Sequence, residues 1–167
     1  MSTASKSLIV TAGLFLCGCR FGDMAEGIFP IGNEGQMIAA SADSIRDFVV
    51  TGGTQEWVRE PMPHPSSGHR RAQTAFNNLY LTALRTNSFP MPVGAAAAKE
   101  VFQDDGTHFA WTLSLKTKAG SGGDTWTWWE GEAPEYQAVA FGIGVFACER
   151  CHGGAEDRDR SLSYPPL

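Results

Sequence analysis

The clearest hydrophobic pattern in the chain lies in residues 108–118, where apolar and polar side chains alternate. A period of two predicts a half-buried β-strand. The apolar face of this strand carries Phe109, Trp111, Leu113 and Leu115, and the polar face carries Thr112, Ser114 and Lys116. A glycine-rich turn follows at residues 120–124, and the aromatic segment 125–129 is predicted to be the antiparallel partner strand.

Two segments have apolar residues at the three- and four-residue spacing of an amphipathic helix. Residues 42–57 predict a short helix that ends in a turn at Gly52 and Gly53. Residues 70–87 have the most regular pattern and predict the best-defined helix of the chain. The apolar positions of that second segment are Ala72, Ala75, Phe76, Leu79, Tyr80, Ala83 and Leu84.

Proline and glycine separate these elements. The proline-rich segments 61–65 and 89–94 cannot continue a regular element. Residues 134–147 are apolar and predict either a strand or a helix. Together the segments predict one α+β domain, mainly an antiparallel β-sheet with a few packed helices.

The composition excludes several classes of protein. A chain of 167 residues with 43% hydrophobic and 19% charged residues can bury a core and is not a disordered chain. The formal net charge is -5 and no window is rich in Lys or Arg, which argues against a nucleic-acid partner. No apolar run reaches the roughly 18 residues that a membrane span requires.

The start of the chain resembles an export signal. Lys6 ends a short polar start, and residues 7–16 form an apolar stretch of the length of an h-region. The segment Leu16-Cys17-Gly18-Cys19 then resembles the lipobox of bacterial lipoproteins, in which the cysteine becomes the acylated first residue. We expect residues 1–18 to be a signal peptide and Cys19 to carry the lipid. An ordinary cleaved signal and a buried first strand are the alternatives.

The export hypothesis also predicts the domain boundaries of the chain and its location in the cell. Residues 19–41 are expected to be a glycine-rich linker, and residues 42–167 the folded domain. Either form of export places the protein in the periplasm or on the outer surface of a bacterial membrane. Contact with the membrane would then run only through the lipid anchor.

The residues that carry chemistry lie at Cys148-Glu-Arg-Cys151-His152, which is a C-x-x-C-H pattern. This is the spacing of covalent haem c attachment, because two thiols two residues apart in a tight turn can bond neighbouring vinyl groups of one haem. The adjacent histidine can then be the axial ligand of the iron. We predict one covalently bound haem c per chain, with His152 on the iron.

A structural disulfide, a zinc half-site and a thioredoxin-like redox pair are competing interpretations of these cysteines. A zinc site needs two further ligands, and no second Cys/His pair has ligand spacing. A redox pair normally opens a helix after a strand, without a following histidine as partner. The expected export favours haem c, because bacteria attach this cofactor on the outer side of the inner membrane.

The residue on the other side of the iron decides what such a haem does. An electron carrier fills that position with Met or His, whereas a catalyst or gas binder leaves it open. Residues 153–167 contain neither residue type. A sixth ligand would therefore come from an upstream residue, and the candidates are Met62, Met91, His64, His69 and His108.

Several weaker features follow one another in a recognisable order. They are Glu56-Trp57, Phe89-Pro-Met-Pro-Val-Gly94, Lys99-Glu100, a strand with Lys116 and Lys118, an aromatic strand through Trp126, the C-x-x-C-H pattern, Asp159, and Tyr164-Pro-Pro-Leu167. In this order and spacing the features of residues 42–167 resemble the cytochrome P-460 and cytochrome c′-beta family. The resemblance implies a mainly antiparallel domain, usually a homodimer, with one high-spin haem c and an open distal site.

The resemblance also assigns a role to Lys99. In the P-460 branch, a lysine five residues after a glycine and followed by glutamate is bonded to a haem meso carbon, and Gly94 and Lys99-Glu100 match that spacing. Such a bond needs a neutral amine, and an apolar pocket lowers the pKa of lysine in that direction. The alternatives are a surface lysine, or one near the haem without a bond, as in the c′-beta branch. Residues 95–98 depart from the family, because they are four alanines, which favour helix, where β-branched residues are usual.

The resemblance implies oxidation of hydroxylamine, and of nitric oxide as a further substrate, with electrons passing to a redox-partner cytochrome. The candidate proton acceptors for this reaction are Glu100, Glu130 and Glu132. Non-enzymatic binding of nitric oxide is the first alternative, in a pocket capped by some of the 10 Phe and 5 Trp residues. Electron transfer by a low-spin haem is the second alternative, so the sequence leaves open whether the protein is an enzyme.

Overall fold

A computed structural model describes residues 27–31 and 36–162. The described chain is an α+β fold built on antiparallel β-sheet, which confirms the predicted fold class. The helices are α1 (Ala42–Val50), α2 (Asn78–Thr86) and α3 (Phe146–His152). The strands are β1 (Ile28–Pro30), β2 (Met37–Ala39), β3 (Val58–Arg59), β4 (His64–Pro65), β5 (Arg71–Phe76), β6 (Ala96–Phe102), β7 (His108–Lys116), β8 (Trp126–Glu132) and β9 (Gln137–Ile143).

Seven of the strands form one antiparallel sheet. Its order is β3-β5-β6-β7-β8-β9, and β4 pairs with the first residues of β5. The predicted hairpin is confirmed, because β7 and β8 pair from Lys116 opposite Trp126 to Ala110 opposite Glu132. The predicted helix over residues 42–57 is confirmed as α1 followed by a turn. Residues 134–147, which the sequence left undecided, contain β9 and the start of α3.

The prediction of one helix over residues 70–87 is wrong in its first half. Residues 71–76 form β5, and only Asn78–Thr86 are helical. Ala72, Ala75 and Phe76 satisfy the helical spacing, but pairing of β5 with β6 takes their backbone hydrogen bonds. Tertiary pairing of this kind overrides local propensity.

Asn77 marks the point where the strand changes into the helix. Its side-chain oxygen accepts from the backbone N–H of Tyr80, at 2.9 Å, as a helix N-cap does. The same oxygen accepts from the N–H of Ala96, and its side-chain nitrogen donates to the carbonyls of Ile31 and Gly94. This buried asparagine therefore joins β6, α2 and the N-terminal segment.

The four alanines that favour helix by propensity instead belong to the middle of the sheet. Ala95 closes a turn, and Ala96–Ala98 are buried in β6 between β5 and β7. Bulky side chains occupy the same rows of the sheet, since Phe76 and Trp128 lie in the row of Ala97 and Trp129 lies in the row of Ala98. Small residues fit this strand because the sheet is covered on both faces.

The two faces of the sheet carry two separate hydrophobic cores. On one face α1 packs through Ile45 and Val49. On the other face α2 packs through residues such as Tyr80 and Leu84 against Trp126 and Trp128. The site described below is built on this second face.

The described part of the predicted linker is packed rather than extended. Residues 27–31 and 36–40 contain the β1–β2 hairpin, and Ile31 and Ile38 are buried in the core with α1. Packed structure therefore begins before the expected boundary at Ala42. The predicted signal peptide, the lipidation residue Cys19 and the closing segment 164–167 lie outside the described residues. Within the described ranges, each helix is too short or too polar to cross a membrane.

Replacing Ala98 by leucine should destabilise the protein by about 1–3 kcal/mol, because a buried central strand has no room for a larger side chain. Chemical denaturation of the purified protein would measure this. The matched control is Ala138→Leu on the exposed edge strand β9, which should change the free energy of unfolding little. Equal effects of the two substitutions would contradict the placement of β6.

Candidate haem-attachment site

The C-x-x-C-H pattern lies on α3. Cys148, Cys151 and His152 occupy positions i, i+3 and i+4, which lie on neighbouring points of one helix face. The last turn closes with the N–H of Gly153 donating to the carbonyl of Glu149 at 2.8 Å, and a second glycine follows. The sequence therefore presents both thiols and the imidazole on the same side of a short helix.

A cavity of about 220 Å³ lies between α3 and the sheet. The helix supplies Cys148, Cys151 and His152 to its wall, and the sheet supplies Lys99 and Glu130 among others. The loop between β4 and β5 closes one side through residues 67–69. A second cavity of about 480 Å³ adjoins the first, since Ser67, Lys99 and His152 line both.

The register of the sheet brings Lys99 and Glu130 to the face that carries α3. Lys99 on β6 is opposite Thr112 on β7, and Thr112 is opposite Glu130 on β8. Residues directly opposite each other in an antiparallel sheet share a face. All three side chains accordingly line the cavity.

One hydrogen bond fixes the orientation and the tautomer of His152. Its Nδ1 is 2.8 Å from the backbone carbonyl oxygen of Arg160, which can only accept a hydrogen bond, so Nδ1 carries the proton. Burial lowers the pKa of His152 to about 4, against a smaller opposing effect of that hydrogen bond. The imidazole is therefore neutral at neutral pH, and its Nε2 keeps the lone pair that a metal needs. The ring also packs against Trp128, with 4.6 Å between centroids.

The two cysteines are free thiols in different surroundings. Cys148 packs against the core that contains α2, and burial raises the pKa of its thiol to about 12, with Glu130 and Glu149 acting in the same direction. Cys151 is exposed. A β-carbon added to Gly68 would lie 3.8 Å from the Cys151 sulfur, so the β4–β5 loop passes directly beside this thiol.

These observations bear on the alternatives for the cysteines. Free thiols do not support a disulfide between Cys148 and Cys151. Among the residues that the structure describes, no group of three or more His, Cys, Asp or Glu side chains could hold a metal ion. A zinc site built on these cysteines therefore finds no ligand set there.

Lys99 is partly buried beside the motif. Burial lowers the pKa of its amine, while the charge of Glu60 and the Cys151 thiol act in the opposite direction. A neutral amine is a nucleophile, whereas an ammonium ion is not. The surroundings of Lys99 thus favour the form that the predicted haem bond requires.

Of the three candidate proton acceptors, the structure brings Glu130 alone to the cavity. Burial raises the pKa of Glu130, and the neighbouring charge of Glu132 adds to the shift. Glu100 neighbours Lys99 in β6 and therefore faces the other side of the sheet, where it forms an ion pair with Arg59. Glu132 is exposed at the end of β8. Of the three candidates, Glu130 alone is therefore placed where it could accept a proton in the cavity.

Of the five candidate sixth ligands, only His69 lines the first cavity with His152, while His64 shares the adjoining cavity with it. Burial lowers the pKa of His69 to about 4, with the charges of Lys99 and His152 acting in the same direction. The other four lie elsewhere: Met62 is exposed, Met91 is in the core with α2, His64 lines the adjoining cavity, and His108 contacts the Tyr136 hydroxyl at 3.0 Å.

Sequence reasoning missed two residues of this region. Trp128 lines the cavity, and its Nε1 is a buried donor with no acceptor among the residues that the structure describes. Glu60 lines the adjoining cavity, where its carboxylate accepts from the N–H of Thr74 at 2.6 Å and contacts His64 Nε2 at 3.1 Å. The aromatic run predicted the strand of Trp128 but not its face, and no local pattern indicates Glu60.

No protein-family model matches this chain, and no curated protein matches it. The family resemblance therefore rests on the sequence features alone.

The different surroundings of the two thiols predict different reactivities. In folded, haem-free protein with Cys17 and Cys19 replaced by serine, iodoacetamide at pH 8 should modify Cys151 at least about tenfold faster than Cys148, because the raised pKa leaves little thiolate at Cys148. Peptide mass spectrometry over time would measure both rates. In guanidinium chloride the rates should become similar. Equal rates in the folded protein would show that Cys148 is not shielded.

Proposed function

We propose that the protein binds one haem c through Cys148, Cys151 and His152 and oxidises hydroxylamine, with nitric oxide as a further substrate. The observation that carries this proposal is that Lys99 and the three residues of the motif line one cavity. They come from a central strand and from a helix about 50 residues later in the sequence, so the fold and not the local pattern brings them together.

The residues of the cavity fit a haem. Two thiols on one helix turn would be available for thioether bonds, and the neutral His152 would offer Nε2 to the iron. The unpartnered Nε1 of Trp128 would donate to a polar group of a molecule bound in the cavity. The adjoining cavity of about 480 Å³ lies within the range of about 300–1,000 Å³ that ligand sites occupy.

When bound, the haem supplies an iron that accepts electrons from the substrate and passes them to a redox partner. The chain itself has to attach the haem, hold its axial ligand, and receive the protons that the oxidation releases. Cys148, Cys151 and His152 perform the first two tasks in this proposal.

Lys99 would be the residue that bonds to the haem edge. Replacing a meso C–H by a C–N bond releases two protons and two electrons, so this step would also consume a two-electron oxidant of the peroxide class, with the Lys99 amine supplying the nitrogen. The position of Lys99 on a paired central strand restricts its motion, and burial favours its neutral amine. A bond at this position would distort the macrocycle and alter its potential, which is a means by which a protein tunes a haem.

Glu130 would receive protons from the substrate. It lies in the same row of the sheet as Lys99, and its raised pKa makes it a stronger base than an ordinary carboxylate. Glu60 and the exposed His64 line the adjoining cavity and provide polar groups between the site and solvent.

The proposal includes the cellular setting expected from the sequence. It comprises export to the periplasm or the outer membrane surface with a lipid on Cys19, a homodimer, and a redox-partner cytochrome. These parts are independent of the chemistry at Lys99 and can be tested separately.

Lys99→Ala should remove the strongly red-shifted, broadened Soret band expected of the reduced wild-type protein and lower hydroxylamine turnover. Absorption spectra of ferric and dithionite-reduced protein, produced with haem c maturation, would measure the first effect. Lys118→Ala is the matched control, because Lys118 is exposed beyond the end of β7 and should change neither property.

The spectra also distinguish the alternatives. An ordinary high-spin spectrum that is identical in wild type and Lys99→Ala would refute the bond and favour the binding of nitric oxide without catalysis. A wild-type protein without covalent haem would refute the whole proposal.

Glu130→Gln should lower kcat for hydroxylamine by about 10²-fold or more, because a glutamine cannot accept the proton. Since the pKa of Glu130 is raised, wild-type activity should increase with pH as this carboxyl loses its proton, at a pH above the ordinary range of glutamate. Steady-state rates against pH would measure this step, which should disappear in the variant. The control is Glu135→Gln in the exposed turn before β9. A pH step that persists in Glu130→Gln would assign the proton acceptor elsewhere.

A second candidate function is electron transfer by a low-spin haem. The observation that favours it is that His69, with its unprotonated imidazole, lines the same cavity as His152. This function requires a sharp low-spin spectrum in the wild-type protein and a high-spin spectrum in His69→Ala. A spectrum that is high-spin in both would exclude it.

A further inference from the structure

We infer that the buried ion pair between Lys116 and Asp159 positions His152, by fixing the backbone carbonyl of Arg160 that accepts from the imidazole. The inference rests on the proposed function, since it concerns the residue assigned as the axial ligand. It corrects the expectation that Lys116 belongs to an ordinary polar strand face, because this side chain is 0% exposed.

The ammonium group of Lys116 has three acceptors at the end of β7. Its Nζ lies 2.5 Å from Asp159 Oδ2, 2.8 Å from Thr125 Oγ1 and 2.6 Å from the carbonyl of Gly120. An ammonium group has three donors, and each of them has one partner here. The lysine is therefore held rigidly at one point of the sheet.

Asp159 connects Lys116 to the segment that follows α3. Besides the contact with Lys116, its carboxylate accepts hydrogen bonds from the backbone N–H of Met91 at 2.9 Å and from Trp126 Nε1 at 3.4 Å. Its side chain is 1% exposed. Two residues later the buried Ser161 accepts from the Tyr80 hydroxyl at 2.9 Å. Residues 159–161 are thus attached to the sheet, to α2 and to the loop before β6.

The backbone at this attachment is strained. Asp159 and Arg160 have φ angles of 48° and 71°, in the left-handed region that residues with a side chain rarely adopt. Two consecutive residues of this kind persist only where their surroundings determine the conformation. The contacts of Asp159 supply that determination.

In this turn of residues 159–160, Arg160 contacts α3 through both its backbone and its side chain. Its carbonyl accepts from His152 Nδ1 at 2.8 Å, and its guanidinium Nε donates to Glu149 Oε2 at 2.9 Å. The first contact sets the tautomer and the ring orientation of His152, and the second holds the preceding turn of the helix. Partners of this kind orient metal-binding histidines in other proteins.

Stability alone does not explain the charged pair. A buried ion pair is commonly matched or exceeded in stability by apolar residues of similar volume, because both charges lose their hydration. The Lys116–Asp159 pair does provide a rigid and directional contact at Asp159, seven residues beyond His152. An apolar contact at that position would not define the direction of the neighbouring Arg160 carbonyl. Lys116 and Asp159 are therefore positioning residues.

The test compares two double variants of the haem-loaded protein. Lys116→Met with Asp159→Asn removes both charges, and so avoids the uncompensated lysine that Asp159→Asn alone would leave. The iron–histidine stretching band in the resonance Raman spectrum of the ferrous protein should shift to lower frequency and broaden, because the hydrogen bond of His152 weakens. The control is Arg59→Met with Glu100→Gln, a partly buried pair on the other face of the sheet, which should leave the band unchanged.

An unchanged band in the first double variant, with a lower free energy of unfolding, would overturn the inference and leave the pair a purely structural role. If that variant does not fold, Thr125→Val removes a single acceptor of Lys116 and should shift the band in the same direction by a smaller amount. An unchanged band in a folded Thr125→Val protein would then overturn the inference.

A chain that binds no haem would refute the proposed function but not this inference. In that case ¹⁵N shifts of His152 should show the Nδ1–H tautomer in the wild-type protein and a mixture of tautomers in the double variant. The same tautomer in both proteins would overturn the inference independently of any haem.

Discussion

The burial of β6 on both faces of the sheet is the constraint on which the rest of the structure depends. The strand can be covered by α1 on one side and by α2 on the other because residues 96–98 are alanines, which leave room for large aromatic side chains from neighbouring strands. Those aromatic residues, Trp126, Trp128 and Trp129, come from β8 and fill both cores. Lys99 follows the alanines directly, so it enters the cavity from a rigid and completely paired strand.

Burial has a common electrostatic effect at this site. Removal from water disfavours the charged form of each group, and so it lowers the pKa values of Lys99, His69 and His152 and raises those of Cys148 and Glu130. The result is a less basic amine, neutral imidazoles, a protonated thiol and a more basic carboxylate within one cavity. Metal ligation by a neutral imidazole and proton transfer to a carboxylate use two of these forms, and shifted pKa values of this kind are frequent at functional sites.

Much of the fold followed from local patterns, and the errors share one cause. The alternation in residues 108–116 and the aromatic run after the glycine-rich turn predicted the β7–β8 hairpin correctly. Residues 71–76 have apolar positions that fit a helix as well as a strand, and pairing with β6 decided between them. Lys116 continued a polar face by pattern, but a carboxylate 43 positions later made its complete burial possible. In each error a partner distant in the sequence outweighed the local preference.

The sequence by itself determined which reactive side chains α3 carries and the class of the fold. The spacing of Cys148, Cys151 and His152 is a local property, because residues three and four apart meet on one helix face wherever the helix packs. The tertiary structure alone decided which residues face that helix. It selected Glu130 rather than Glu100, placed His69 rather than His64 in the cavity, and aimed the carbonyl of Arg160 at His152. The reason is that the face of a strand and the path of a loop depend on pairing and burial between distant segments, which no short pattern contains.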